Sequence, residues 1–121
     1  MLINLSNHPS SRWDTPQIQA AVQFGEITDM PFPEIEPEWD SKQVEQLAEV
    51  YFNKITTIAR EKDAVPVVHV MGEYSFCFKL VVLLKKAGIK AVVSTSKRHS
   101  VKNPDGTKTI QFNFVQFRPY Y

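Results

Sequence analysis

The chain has 121 residues, 43% of them hydrophobic and 22% charged, with eight prolines, four glycines and one cysteine. That balance describes a single globular domain over residues 1–121 and excludes a disordered or collagen-like polymer. The lone Cys77 excludes an internal disulfide and a cysteine-rich zinc site.

The net charge of +1 conceals a division. Residues 1–78 hold 5 Lys/Arg against 12 Asp/Glu, whereas residues 79–121 hold 9 against Asp105 alone. Either the two parts neutralise each other within one body, or a basic C-terminal surface awaits a polyanion. The longest nearly uncharged apolar run, Tyr74 to Leu84, is interrupted by Lys79. It falls short of the roughly 18 apolar residues that a membrane-spanning helix needs, so no membrane partner is expected. Met1 leads into Leu2-Ile3-Asn4-Leu5 without a basic region or a small-residue cleavage site, which predicts no signal peptide and a cytoplasmic protein.

In chain order, Leu2 to Leu5 reads as a buried strand that breaks into the polar loop Ser6-Asn7-His8-Pro9-Ser10-Ser11. Asp14 or Thr15 can cap a helix with Pro16 at its first position, Ile18, Ala21 and Val22 at helical spacing, and Gly25 as its stop. Glu26 to Met30 predicts a second brief strand, and Pro31, Pro33 and Pro37 make Pro31 to Glu38 an extended connector. A longer helix opens at Asp40 or Ser41, with Gln43 placed for a capping box. Val44, Leu47, Ala48, Tyr51, Ile55, Ile58 and Ala59 then mark its apolar stripe.

Val65 to Met71 is β-branched and almost wholly apolar, as in a strand buried on both faces. A helix from about Tyr74 to Ala87, closed by Gly88, and a buried strand over Ile89 to Ser94 follow. Asn103-Pro104-Asp105-Gly106 is a turn. Beyond it Ile110, Phe112 and Phe114 alternate with Thr109, Gln111 and Asn113, which predicts a strand paired antiparallel with Ser94 to Lys102. The alternation shifts at Val115 and Phe117, where a bulge is expected.

Alternating strands and helices with a final hairpin predict an α/β three-layer sandwich. Right-handed crossovers make its sheet mostly parallel, in the order 2-1-3-4-5, with the C-terminal hairpin strand antiparallel. Ligands of such sheets sit beyond the carboxyl ends of the strands, at the switch point between the first and third strands. Three polar segments should converge there: Ser6-Asn7-His8, Gly72-Glu73-Tyr74-Ser75 and Ser94-Thr95-Ser96-Lys97-Arg98. Small hydroxyls, helix-start amides and paired cations together suit phosphate.

Each residue also has a plain structural use. His8 is a general acid, a base-edge contact or a locally bonded loop residue; Ser6 and Asn7 contact ligand or satisfy turn backbone. Glu73 complements a helix dipole or acts as a base, and its charge disfavours a phosphate on that helix end. Lys97 and Arg98 contact ligand or mark a solvated strand end. His69 reads as a hydrogen-bonded core histidine, His99 as surface, Cys77 as packing, and Phe112, Phe114 and Phe117 as core and hairpin packing. The three histidines have no partners at metal spacing, neither dinucleotide fingerprint nor P-loop is present, and no Ser-His-Asp signature supports a side-chain nucleophile. No cofactor and no metal are expected.

His69-Val70-Met71-Gly72-Glu73-Tyr74-Ser75-Phe76, Leu80 to Leu84 with Gly88-Ile89, and Ser94-Thr95-Ser96-Lys97-Arg98 resemble a small CRISPR-associated group. The ending from Asp105-Gly106-Thr107-Lys108 through Phe112-Asn113-Phe114-Val115-Gln116-Phe117-Arg118 looks like that group's closing hairpin. Leu2-Ile3-Asn4-Leu5-Ser6 with His8-Pro9 is similar to its first strand and loop. These are Rossmann-like proteins of the CARF and ring-nuclease kind, encoded beside type III CRISPR systems.

The resemblance implies a homodimer that binds cyclic oligoadenylate, with cyclic tetra-adenylate the expected ring and no DNA partner. It also implies metal-independent cleavage by attack of a ribose 2′-hydroxyl, leaving a 2′,3′-cyclic phosphate. On that reading Lys97 and Arg98 stabilise developing charge and His8 protonates the leaving oxygen. Ser6, Asn7, Gly72, Glu73, Tyr74, Ser75, Thr95 and Ser96 bind ring phosphate, ribose or base. The alternatives are a sensor or sponge without turnover, and an interaction subunit that uses the basic C-terminal surface.

Overall fold

A computed structural model describes residues 1–121. It is a mixed α/β protein whose five-stranded sheet has the order β2-β1-β3-β4-β5. The strands are β1 (Leu2–Ser6), β2 (Ile27–Asp29), β3 (Val67–Met71), β4 (Lys90–Lys102) and β5 (Lys108–Pro119). The helices are α1 (Thr15–Val22), α2 (Ser41–Glu61) and α3 (Tyr74–Lys86). The first four strands run parallel and β5 runs antiparallel to β4. No helix is long and apolar enough to cross a membrane.

Alternation along the strands sends side chains into two separate cores. On one face Leu2, Ala21 and Val92 gather Trp13, Phe24, Ile27, Val67 and Phe117 beneath α1. On the other, Ile3, Leu5, Val68 and Val70 meet Val44, Ala48, Ile55, Phe76, Leu80 and Leu84 from α2 and α3. Phe76 is fully buried and takes the rings of Phe32 and Tyr51 edge-on at 5.2 and 5.5 Å. Helix α2 begins with the capping box read from its sequence: Gln43 N–H donates to Asp40 Oδ1 at 2.9 Å, and Asp40 N–H to Gln43 Oε1 at 3.0 Å. Asp14 stands at the N-cap of α1 without a side-chain hydrogen bond. Cys77 is buried against this core, and burial first, then the Glu73 carboxylate, push its thiol up to about 11.

The largest departure from expectation is at the C-terminus. The stretches expected as separate strands over Ile89–Ser94 and Ser94–Lys102 merge into the one strand β4, Lys90–Lys102, and only Lys90–Val92 of it pair with β3. Beyond that point β4 and β5 leave the sheet as a two-stranded arm closed by Asn103-Pro104-Asp105-Gly106. At the arm's root Thr95 pairs with Gln116 and Ser96 with Phe114, so Val115 is the extra residue of a bulge. Phe112, read as packing, is instead 65% exposed, because no third layer covers the arm.

Candidate functional site

Of the buried polar residues on the strands, Asn4 and His69 share a register. Asn4 of β1 lies beside His69 of β3, which lies beside Val92 of β4. Both polar residues are 1% exposed, so burial requires that each be hydrogen-bonded. Asn4 Nδ2 donates to Asp29 Oδ1 at 2.8 Å and to the His8 carbonyl at 2.9 Å. Asn4 Oδ1 accepts from Ser6 Oγ at 2.8 Å and faces His69 Nδ1 at 2.8 Å. Across the ring, His69 Nε2 meets Ser94 Oγ at 3.3 Å.

Burial raises the Asp29 pKa, but donors from Asn4 and from the side chain and backbone of Ser10 outweigh it and hold the carboxyl below its ordinary 3.8. His69 is pulled down from 6.5 to about 4, first by burial and then by the charge of His8. Trp13 and Phe117 close on its ring edge-on at 5.7 and 5.2 Å.

This network floors a cleft of about 360 Å³ on the α1 side of the sheet's carboxyl edge. His8, Arg12, Trp13, Asp14 and Gln17 form one wall; Met71, Ser94, Ser96, Phe112 and Phe114 form the floor and the arm side. It lies over β3 and β4, with His8 of the loop after β1 on its wall, one strand across from the β1–β3 switch point where ligands of such sheets are expected.

The three segments read from the sequence do not all meet there. His8 and Ser96 line the cleft. Ser6 is buried with its hydroxyl donated to Asn4, and it borders a neighbouring hollow with Asn7, Pro9, Asp29 and Phe32. Gly72 lies directly beneath the Phe32 ring, leaving no room even for a Cβ. Glu73 is the N-cap of α3, its carboxylate accepting from the amides of Ser75 and Phe76. Burial raises its pKa, but those donors and the Ser75 hydroxyl bring it below 4.5. The anion-binding end of α3 is therefore filled by the protein's own carboxylate. Tyr74 and Ser75 face a separate groove with Ser41, Glu45 and Phe78.

Lys97 and Arg98 belong to the arm rather than to a loop after the strand. Neighbours along a strand point to opposite faces. Arg98 pairs across with Phe112 and shares the cleft-side face of Ser96 and Phe114; Lys97 pairs with Asn113 and shares the other face with Thr95. Thr95 Oγ donates to the Gln116 carbonyl at 3.2 Å.

Sequence reasoning missed Arg12, Trp13, Asp14 and Gln17, whose loop and helix fold back toward the arm. It also missed Asn4 and Ser94 as partners of His69. A usable signal existed: an asparagine inside Leu-Ile-Asn-Leu and a histidine inside Val-Val-His-Val are buried polar groups that must find one another.

The single ion pair, Lys62 with Glu26 at 2.8 Å, lies wholly within the acidic part of the chain. No ion pair joins the acidic and basic parts, so the arm's Lys97, Arg98, Lys102 and Lys108 remain without carboxylate partners. No cluster of three His, Cys, Asp or Glu side chains gathers at metal-binding distance.

A family model covers residues 1–118. The chain belongs to the MJ1673 family. The family is described as one of uncharacterized proteins, a description that assigns no activity. No curated protein and no solved structure matches the chain.

Proposed function

We propose that this Rossmann-like chain binds cyclic oligoadenylate, with cyclic tetra-adenylate the preferred ring, and opens it to linear products ending in 2′,3′-cyclic phosphate. The observation that carries this reading is the cleft at the carboxyl edge, where aromatic rings, hydroxyls and the unpaired Arg12 face one space. Trp13, Phe112 and Phe114 offer faces on which an adenine stacks, worth about 1–3 kcal/mol per base. Arg98, on the same face of the arm, supplies charge-assisted hydrogen bonds to phosphate.

In-line attack of a 2′-hydroxyl needs orientation of that group, charge stabilisation at phosphorus and a proton for the departing 5′-oxygen. His8, on the exposed wall of the cleft, is placed to deliver the proton, and Arg98 to face the charge. A homodimer with a two-fold axis near the cleft doubles these groups around a ring that is itself symmetric.

A second reading, a binder without turnover, is favoured by one observation: the two adjacent cations are divided between opposite faces of the arm, so only Arg98 shares the face of Ser96 and Phe114. Incubation with cyclic tri-, tetra- and hexa-adenylate in EDTA, followed by chromatography, separates the two readings. Linear products ending in cyclic phosphate support the nuclease. Intact rings that nonetheless bind support the sensor, and rings that neither bind nor break overturn both.

A further inference from the structure

The network behind the cleft determines which nitrogen of His69 carries a proton. Asn4 Nδ2 lies against two groups that can only accept, the Asp29 carboxylate and the His8 carbonyl, so the amide has one orientation. Asn4 Oδ1 therefore faces His69, and Nδ1 must be the protonated nitrogen that donates to it. Nε2 is left bare, directed at Ser94 Oγ. The serine proton has two acceptors in reach, Nε2 at 3.3 Å and Met71 Sδ at 3.1 Å, and the imidazole nitrogen is much the better one. With its proton turned inward, Ser94 presents lone pairs to the cleft. This polar point of the cleft is thus built to accept a hydrogen bond, the opposite of a phosphate site.

We propose that Ser94 and His69 form a relay that accepts the proton of a ligand hydroxyl, which on the reading above is the ribose 2′-hydroxyl. This inference rests on that reading for its substrate and on the Asn4–His69–Ser94 geometry for its chemistry. As the 2′-oxygen bonds to phosphorus, its proton passes to Ser94 Oγ, and the serine's own proton passes to His69 Nε2. The bond from phosphorus to the 5′-oxygen breaks, and that oxygen takes a proton from His8 or from water. The imidazolium then returns its proton through Ser94 to solvent, which restores the starting state.

Asn4, itself tied to Asp29, holds the ring in the required tautomer, as the third member of a nucleophile–base pair does elsewhere. No local motif announces this arrangement, because its members stand at positions 4, 69 and 94 on three strands.

Burial keeps the ring neutral down to about pH 4, so the relay is open throughout the physiological range. The same burial makes His69 a weak base. Its contribution therefore belongs at the low end of the general-base range, about 10²-fold. The groups able to bias its titration are His8 from the β1 loop, Asp29 of β2 through Asn4, and Arg12 and Asp14 on the cleft wall.

The test uses the full chain and Ser94→Ala, a half-buried position where loss of one hydroxyl leaves the fold intact, with Ser94→Thr as the conservative rescue. Cleavage of cyclic tetra-adenylate under single-turnover conditions, ring affinity by titration, and the pH profile of the rate are measured for each. The expected result is a rate about 10²-fold lower in Ser94→Ala with affinity within about threefold of wild type. An acid limb near pH 4 is present in wild type and absent in Ser94→Ala, and Ser94→Thr restores both rate and limb.

A Ser94→Ala enzyme with wild-type rate and an unchanged limb overturns the relay while leaving the nuclease reading standing. A wild-type protein that binds rings without cutting them overturns the nuclease reading and the relay together. Independently of any ligand, histidine nitrogen NMR on the free protein reports the tautomer. A proton on Nε2 of His69 overturns the relay whatever the rings do, and a proton on Nδ1 supports it.

Discussion

Replacing Gly72 with alanine tests whether this glycine serves packing or ligand. Its backbone is not in the left-handed region, so alanine meets no conformational penalty there and, by restricting the unfolded chain, is favoured by about 0.4–1 kcal/mol. Against that, a Cβ at this position falls well inside 3.0 Å of three atoms of the Phe32 ring. The ring must swing away, and it is the ring that meets Phe76 edge-on at 5.2 Å. Losing that geometry accounts for about 0.5–1.5 kcal/mol of the roughly 1–3 kcal/mol typical of forcing extra volume into a packed site.

The net expectation for Gly72→Ala is a loss of about 1–2 kcal/mol, read as a lower urea midpoint at constant slope. The decisive measurement is a double-mutant cycle with Phe32→Ala. Once the ring is gone the clash is gone, and Gly72→Ala should become neutral or slightly stabilising. An undiminished penalty in the Phe32→Ala background would put the cost in the backbone and not in the Phe32 ring.

Two further outcomes follow from the placement of charge and of the buried imidazole. Because β4 puts Arg98 on the face of Ser96 and Phe114 and Lys97 on the other, Arg98→Ala should, on the proposed function, weaken ring binding about 10- to 100-fold, the loss of a charge-assisted hydrogen bond. Lys97→Ala should change affinity by less than about threefold at moderate salt. Equal losses in a calorimetric titration would contradict the assigned faces. His69 binds its proton more weakly folded than unfolded, with values of about 4 against 6.5. The unfolded chain therefore gains protons first as pH falls, and stability drops between about pH 6.5 and 4 by up to ~3 kcal/mol, then levels with respect to this group. Urea melts across that window should show the drop in wild type and its loss in His69→Gln; a flat wild-type profile would count against a neutral, buried ring.

Much of this architecture is legible in the amino-acid order. The capping box at Asp40 and Gln43, the Pro-rich connector, the turn at Asn103 to Gly106 and the bulge at Val115 are local features, each set by residues within a few positions of one another. Strand order followed as well, because right-handed crossovers and short connections leave few ways to lay four parallel strands side by side.

Lateral relations required the tertiary structure. Periodicity says that Asn4 and His69 are buried, but only the register of β1 against β3 makes them partners, and only the third neighbour, β4, brings Ser94 to the far side of the ring. Likewise Lys97 and Arg98 look like one cationic patch as a dipeptide. Their separation follows from β4 running on past the sheet as a strand, where pleating sends successive side chains to opposite faces. Chemistry that depends on which atoms touch across strands is written in register and strand continuation, and folding decides both through the burial of two cores at once.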